Sequence, residues 1–159
     1  MESPITIRRL ERADAASIVA IQSSCPELAQ WSQHDYEAMA AGNPIGWVAR
    51  RSVNATVADP NPSPIIGFIT ARIAADEMEI LNLAVTSDKR RLGAASALLQ
   101  AAMAWGIANE ARRAFLEVRA SNLVAIRFYS KAGFNQVGRR ANYYTSPPED
   151  ALQLAAEIR

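Results

Sequence analysis

Residues Glu79 to Leu99, EILNLAVTSDKRRLGAASALL, read as a strand, a turn, a basic glycine-containing loop and a helix. Ile80 to Val85 is a short apolar run with β-branched character, closed by Thr86-Ser87-Asp88, as expected of a buried strand. Lys89, Arg90, Arg91, Leu92, Gly93, Ala94 and Ala95 follow. An alanine-rich helix of about Gly93 to Glu110 then carries an apolar stripe of Ala95, Leu98, Ala102 and Trp105. The first turn of such a helix presents unpaired N–H groups and the positive end of the helix dipole. Gly93 and Ala95 are small enough to admit an anion, and three basic side chains precede them, so the stretch reads as a polyphosphate cradle. Neither G-x-x-x-x-G-K-[ST] nor G-x-G-x-x-G is present here. The loop alone leaves open a solvated basic turn at the head of an ordinary helix.

Outward from this stretch, the chain alternates short elements. Ile5 to Arg8 alternates as a strand, and Asp14 stands as N-cap to a helix over Ala15 to Ile21 that Pro26 ends. Ser32 is placed to cap a second short helix, closed by Gly42-Asn43-Pro44. Ile45 to Arg51 and Ile65 to Ile73 are strands flanking Asn54 to Pro64, a proline-bearing loop; Gly67 marks a bulge or a close backbone approach. Asp76-Glu77 is the turn into the organising strand. Past the long helix, Ala114 to Arg119 is a strand with Phe115, Glu117 and Arg119 on one face and Leu116 and Val118 on the other. Ser121 or Asn122 caps a helix through Ala132, stopped by Gly133. Phe134 to Arg139 and Leu152 to Ile158 are the last strands, joined through Asn142-Tyr143-Tyr144 and Pro147-Pro148. The order predicts an α+β fold, a mixed sheet with helices on both faces, in a single domain over residues 1–159.

Bulk properties narrow the function classes. The 159 residues suit one core, and half of them are hydrophobic. A formal charge of +1 gives no general attraction to nucleic acid or an anionic membrane. Cys25 is the sole cysteine, expected as a small apolar filler. No apolar run approaches a membrane span, and MESPITIRRLERAD has no apolar signal core, so a cytoplasmic protein is expected. There is no Cys/His cluster for a metal and no G-x-S-x-G elbow.

The stretch Phe115 to Phe134, FLEVRASNLVAIRFYSKAGF, makes a resemblance specific. Together with Asn82-Leu83-Ala84-Val85, the Arg90-x-x-Gly93-x-Ala95 loop and Gly138-Arg139-Arg140-x-Asn142-Tyr143-Tyr144, it resembles the ribosomal-protein-alanine N-acetyltransferases (the RimI type) of the GNAT superfamily. Trp31-Ser32 and Glu149-Asp150-Ala151 match as well, and the matches span about residues 30 to 152. The resemblance implies a GNAT fold: a twisted, mostly antiparallel mixed sheet whose splayed strand pair holds acetyl-CoA. It implies transfer of acetyl from acetyl-CoA to an amine in a ternary complex, without a metal. The pyrophosphate would lie on N–H groups near Arg90, Arg91, Leu92, Gly93, Ala94, Ala95 and Ser96. The main chain of Leu83, Ala84 and Val85 would hold the pantetheine arm and polarise the acetyl carbonyl, an oxyanion-type stabilisation. A bulge at the splay would free the groups this needs.

Glu117 is then the candidate general base, a carboxylate set among apolar neighbours in mid-strand. The residues alone favour a salt-bridged surface glutamate, paired for example with Arg119, and it is the resemblance that points to the base. Tyr129 is the candidate general acid for the leaving thiolate, since a phenol of pKa ~10 and a thiol of ~8.5 are close enough to exchange a proton. Its alternative is a core tyrosine. Asn122 is a candidate ligand of the CoA arm and a helix cap at once. Trp31, Tyr143 and Tyr144, with Arg139 or Arg140, are weaker candidates for an acceptor groove; aromatics sealing the sheet end explain them equally. His34 reads as a surface residue. The implied acceptor is a protein N-terminal α-amine, in the family an alanine of a small-subunit ribosomal protein. The alternatives are a small-molecule amine or lysine acetyltransferase and, in another class, a non-catalytic acyl-CoA-binding module. Cys25 to Gln30 and the Asn54 to Pro64 loop depart from the family pattern.

Overall fold

The computed structural model describes residues 4–51, 64–86 and 93–158. The Asn54 to Pro64 loop, except Pro64, and the basic run Lys89 to Leu92 lie outside the described residues. Strands are β1 (Ile5–Arg9), β2 (Ile45–Arg51), β3 (Ile65–Ala74), β4 (Glu77–Val85), β5 (Arg113–Arg119), β6 (Asn135–Thr145) and β7 (Pro148–Glu157). Helices are α1 (Ala15–Ser23), α2 (Gln33–Met39), α3 (Ala94–Ala108) and α4 (Leu123–Lys131), with a 3₁₀ turn at Arg12–Asp14. Among the described residues these strands form one sheet in the order β1-β2-β3-β4-β5-β7-β6. All neighbours run antiparallel except β4 and β5, which are parallel and joined through α3. That is the expected mixed sheet with helices on both faces.

Two apolar cores flank the sheet. Ala94, Leu98, Leu99 and Ala102 of α3, with Tyr129 of α4, pack on Trp47, Ile69, Met78, Ile80, Leu116, Val118, Leu152 and Leu154. On the other face α1 and α2 bury Ala15, Ile18, Ile21, Tyr36 and Met39 against Val48, Phe68 and Ala84. Cys25 fills this second core, as expected. In α3 the buried stripe includes Ala94, Leu99 and Gly106, while Ala95 and Trp105 lie at its half-buried edge. Among the described residues no helix is long and apolar enough to cross a membrane.

Local signals set most helix ends. Ser32 accepts from the Asp35 N–H at 3.1 Å, and the Asp35 carboxylate accepts from the Ser32 N–H at 2.8 Å, a reciprocal capping box. Gly133, at φ +96°, follows the last turn of α4. Asp14 departs from expectation, because its side chain does not cap α1. It forms a two-pronged pair with Arg8 (2.7 and 2.8 Å) and accepts from the Glu11 N–H at 2.8 Å. A charge-assisted fork outcompetes a neutral helix-end donor. The C-terminal hairpin also differs. Asn142, Tyr143 and Tyr144 are not a connection but part of β6, which continues to Thr145 because the register shift between Arg140 and Tyr144 absorbs Asn142 at φ +52°.

Candidate active site

The site is built by two irregularities in β4. Thr70 of β3 faces Asn82 while Ala71 faces Ile80, so Leu81 is an extra residue on β4. Before it Met78 and Ile80 point into the α3 core; after it Leu83 and Val85 do, and Asn82 and Ala84 turn to the α1–α2 face. The second irregularity is a shortened ladder. β4 pairs with β5 only through Glu77–Arg113, Met78–Ala114 and Glu79–Phe115. Past that point the strands are no longer paired, although β4 runs on to Val85 and β5 to Arg119. The sheet therefore opens into a slot, with the expected bulge at its inner end.

The N-terminus of α3 follows the slot in the chain. Gly93 takes φ +83°, which favours glycine, and an added Cβ would meet nothing within 4 Å. The first helical bond runs from the Ala97 N–H to the Gly93 carbonyl at 3.0 Å, so the N–H groups of Ala94, Ala95 and Ser96 precede the helical ladder. Thr86, just past the end of β4, buries a hydroxyl oxygen that has no hydrogen-bond partner among the described residues. An open glycine, a helix start and an orphaned hydroxyl at one strand end fit a group carrying phosphates and a linear polar arm. Arg90, Arg91 and Leu92 belong to the part of the cradle outside the described residues. Asn122 caps α4, its Oδ1 accepting from the Ala125 N–H at 3.2 Å.

Glu117 is on the β5 face opposite the α3 core, the side on which α1 and α2 lie. Its partner is not Arg119 but Arg140 of β6, Nε to Oε1 3.0 Å, and the carboxylate side chain is only 14% exposed. Arg119 is committed elsewhere. It pairs with Glu149 at 3.4 Å and lies over the Tyr144 ring at 4.2 Å. Glu149 in turn accepts from the Ser121 N–H at 2.6 Å, and the Ser121 bonds, aided by Arg119, hold its carboxyl below the usual range. Two phenols face Glu117. A hydrogen-bonding interaction with that carboxylate, then burial, raises Tyr143 above its ordinary value. Burial, then the charge of Glu117, pushes Tyr144 up to about 12. Arg140 also lies 5.6 Å from the Tyr143 ring centre. Tyr143 and Tyr144 are thus beside the candidate base, while Trp31 belongs to the α1–α2 side and His34 is exposed on α2.

Tyr129 lies in the opposite core, buried against Phe128 and Phe134 with ring centres 5.1 and 5.5 Å away. Ala125 and Ile126, expected on its face, pack against the same core. Burial pushes the phenol far above its ordinary value, so the near match to a thiol assumed from sequence does not hold. The group stays protonated at any physiological pH. Glu117 and Tyr129 therefore stand on opposite faces of the sheet, and the slot is the opening between those faces. Gln22, Tyr36 and Asn82, the buried polar residues behind Trp31, were not among the sequence candidates, and Arg140, expected only as a groove residue, is the ion-pair partner of Glu117. An asparagine within the apolar run Ile80 to Val85 was the one available signal. Among the described residues no group of three or more His, Cys, Asp or Glu is placed to hold a metal ion.

Known proteins resemble the chain in sequence and share its fold. The chain is 38% identical over 93 residues to the [ribosomal protein bS18]-alanine N-acetyltransferase of Escherichia coli K12; the match covers 57% of this chain and 63% of that protein, under two thirds of its length. The crystal structure of the ribosomal-protein-S18-alanine N-acetyltransferase from Escherichia coli superposes with a TM-score of 0.79 at 27% identity, over 98% of this chain and 94% of that one. Arabidopsis thaliana NAA60 in complex with acetyl-CoA shares the fold at TM-score 0.83 and 22% identity, over 98% of this chain and 99% of that one. The profile of the acetyltransferase (GNAT) family matches residues 15–134, a segment that contains the bulge, the opened strand pair, the start of α3, Glu117 and Tyr129; the chain belongs to that family.

Proposed function

We propose that this chain transfers the acetyl group of acetyl-CoA to the N-terminal α-amine of a protein, an alanine of a small-subunit ribosomal protein being the leading acceptor. The observation that carries the reading is the slot between β4 and β5, with a carboxylate on one face and a buried phenol on the other. Likeness to alanine N-acetyltransferases over the segment that builds the slot supports the choice of acceptor.

Bound acetyl-CoA supplies an activated thioester. Its phosphates would be held by the N–H groups at the start of α3 with Arg90, Arg91 and Leu92, and its arm by the main chain of Leu83, Ala84 and Val85 and by Asn122. Fixed main-chain donors would stabilise negative charge on the carbonyl oxygen as the amine adds. Glu117 would take a proton from the acceptor amine, directly or through one water. An α-amine, with a reference pKa near ~7.7–8.0 against ~10.4 for lysine, asks less of this base. Tyr129 would hold its proton against the departing sulfur. Because the phenol is a weaker acid than an exposed tyrosine, its role is a hydrogen bond that strengthens as thiolate charge develops, rather than early proton release.

Release of CoA thiol from acetyl-CoA tests the reading, with a short peptide bearing a free N-terminal alanine and its N-terminally blocked twin. Turnover with the free peptide alone, falling at least ~100-fold in Glu117→Gln, is expected. Equal turnover on both peptides, or on neither, refutes the acceptor assignment.

A further inference from the structure

Three of the four buried polar or charged side chains among the described residues, Gln22, Thr70 and Asn82, belong to the α1–α2 face. Burying polar groups costs stability unless their bonds are satisfied, so such a concentration calls for a purpose. Gln22, in α1, grips the backbone of Trp31 at both ends. Its Nε2 donates to the Trp31 carbonyl at 2.8 Å, and its Oε1 accepts from the Trp31 N–H at 3.0 Å. The same Oε1 accepts from the hydroxyl of Tyr36 in α2. That hydroxyl accepts from Asn82 Nδ2 at 3.2 Å, and the second Asn82 contact is the Ala29 carbonyl at 3.0 Å. Tyr36 is fully buried, set edge-on against Phe68 with ring centres 5.6 Å apart. Burial, opposed by the Asn82 bond, pushes its phenol up to about 12, so it remains a donor to Gln22.

The two ends of this chain of bonds lie in different parts of the site. Asn82 immediately follows the bulge and precedes Leu83 to Val85, the segment read above as the donor strand. Trp31, named above as a candidate for the acceptor groove, directly follows the Cys25 to Gln30 segment. The Asn82 bond to the Ala29 carbonyl joins the Cys25–Trp31 segment directly to β4.

The geometry assigns Gln22, Tyr36 and Asn82 as positioning residues that fix Trp31, and with it the acceptor wall, relative to the donor strand. They touch neither substrate; they act through Trp31 and the Ala29 carbonyl. The assignment rests on the acetyl-transfer reading for its kinetic consequence, and on the hydrogen bonds alone for its structural one.

The test uses the full chain as wild type, Tyr36→Phe and Gln22→Met, each labelled with 5-fluorotryptophan so that Trp31, Trp47 and Trp105 give separate resonances, with Trp31→Phe assigning the first. Loss of the relay is expected to displace or broaden the Trp31 resonance while Trp47 and Trp105, in the other core, stay in place. In the thiol assay the peptide KM is expected to rise about ten-fold with the acetyl-CoA KM within about two-fold. A merely structural network would lower the melting temperature and leave the two KM values in their wild-type ratio, and that result overturns the assignment. So does an unmoved Trp31 resonance in both variants. If the wild type turns over no peptide, the acceptor reading falls by itself, and the fluorine spectra still decide the relay.

Discussion

Replacing Gly67 by alanine probes the slot from behind, through the strand that borders it, without changing a residue of β4 or β5. Gly67 on β3 pairs with Val85, and an added Cβ would lie 2.8 Å from the Ala84 carbonyl oxygen, 3.0 Å from Val85 Cγ2 and 3.3 Å from Val85 Cα. The first of these is 0.6 Å short of the 3.4 Å at which ordinary contact begins, and it is to backbone, which no rotamer change relieves. Overpacking of this kind costs about 1–3 kcal/mol. For a chain of this size that lowers the melting temperature by about 2–12 °C. The strain has a direction. β3 is held by β2 on its far side, whereas β4 has no ladder to β5 past Glu79, so β4 yields toward the slot. Displaced main-chain groups there weaken acetyl-CoA binding, and the partial loss of one or two hydrogen bonds corresponds to about a two- to ten-fold rise in Kd. Gly106→Ala is the control. Its Cβ would press on the Met78 Sδ at 2.9 Å, a flexible side chain on the paired portion of β4, and acetyl-CoA affinity should hold. Calorimetric titration and thermal unfolding of the two variants decide the matter. Unchanged acetyl-CoA affinity in Gly67→Ala, or equal loss in Gly106→Ala, refutes the reasoning.

Asp14→Asn should cost about 1.5–3 kcal/mol in denaturant unfolding, because it leaves the Arg8 fork and the Glu11 N–H without their carboxylate. Burial alone would raise Asp14, but the Arg8 bonds, the Glu11 N–H and the charges of Arg8 and Arg50 outweigh it and hold the carboxyl below its ordinary value. Its contribution is therefore complete above the unfolded value near 3.8 and is lost as pH falls through the folded one, so the variant's stability should decline less steeply in acid. At the alkaline end all four tyrosines are raised, Tyr36 and Tyr144 to about 12. Folded protein favours each neutral phenol, so stability falls as pH climbs from the unfolded value near 10. Phenolate absorbance should appear together with loss of tertiary circular dichroism; a tyrosine titrating near pH ~10 in intact protein would contradict this. Tyr129→Phe should lower kcat more than it changes the acetyl-CoA KM, since its hydrogen bond is needed as thiolate charge develops; an unaltered kcat removes Tyr129 from the mechanism.

What could be read from sequence was what neighbouring residues decide. Ser32 with Asp35, Asn122 with Ala125 and Gly133 after α4 are local bargains between a side chain or a free φ angle and a helix end, and each appeared where its residue type pointed. The alternation of Phe115 to Arg119 likewise gave Glu117 its face. What could not be read depends on partners far along the chain. Arg8 drew Asp14 away from its helix, and Arg140 rather than Arg119 met Glu117 because β6 reaches β5's neighbourhood only through β7. The burial that weakens Tyr129 as an acid comes from Phe134 and the sheet core, invisible in a helical stripe. The Gln22–Tyr36–Asn82 relay spans 60 positions from its first residue to its last, and no local pattern announces it.

The short β4–β5 ladder also creates two strand edges in the middle of a sheet, where exposed edges are ordinarily an invitation to aggregate. Here the flanking strands protect them: they converge at Glu79 and Phe115, so a foreign polypeptide strand entering from the open end meets a closing wedge. A slimmer chain with its own amide groups, such as a pantetheine arm, can enter where a peptide with side chains on both faces cannot. The same narrowing that would admit such an arm denies a peptide strand the even spacing that edge pairing needs.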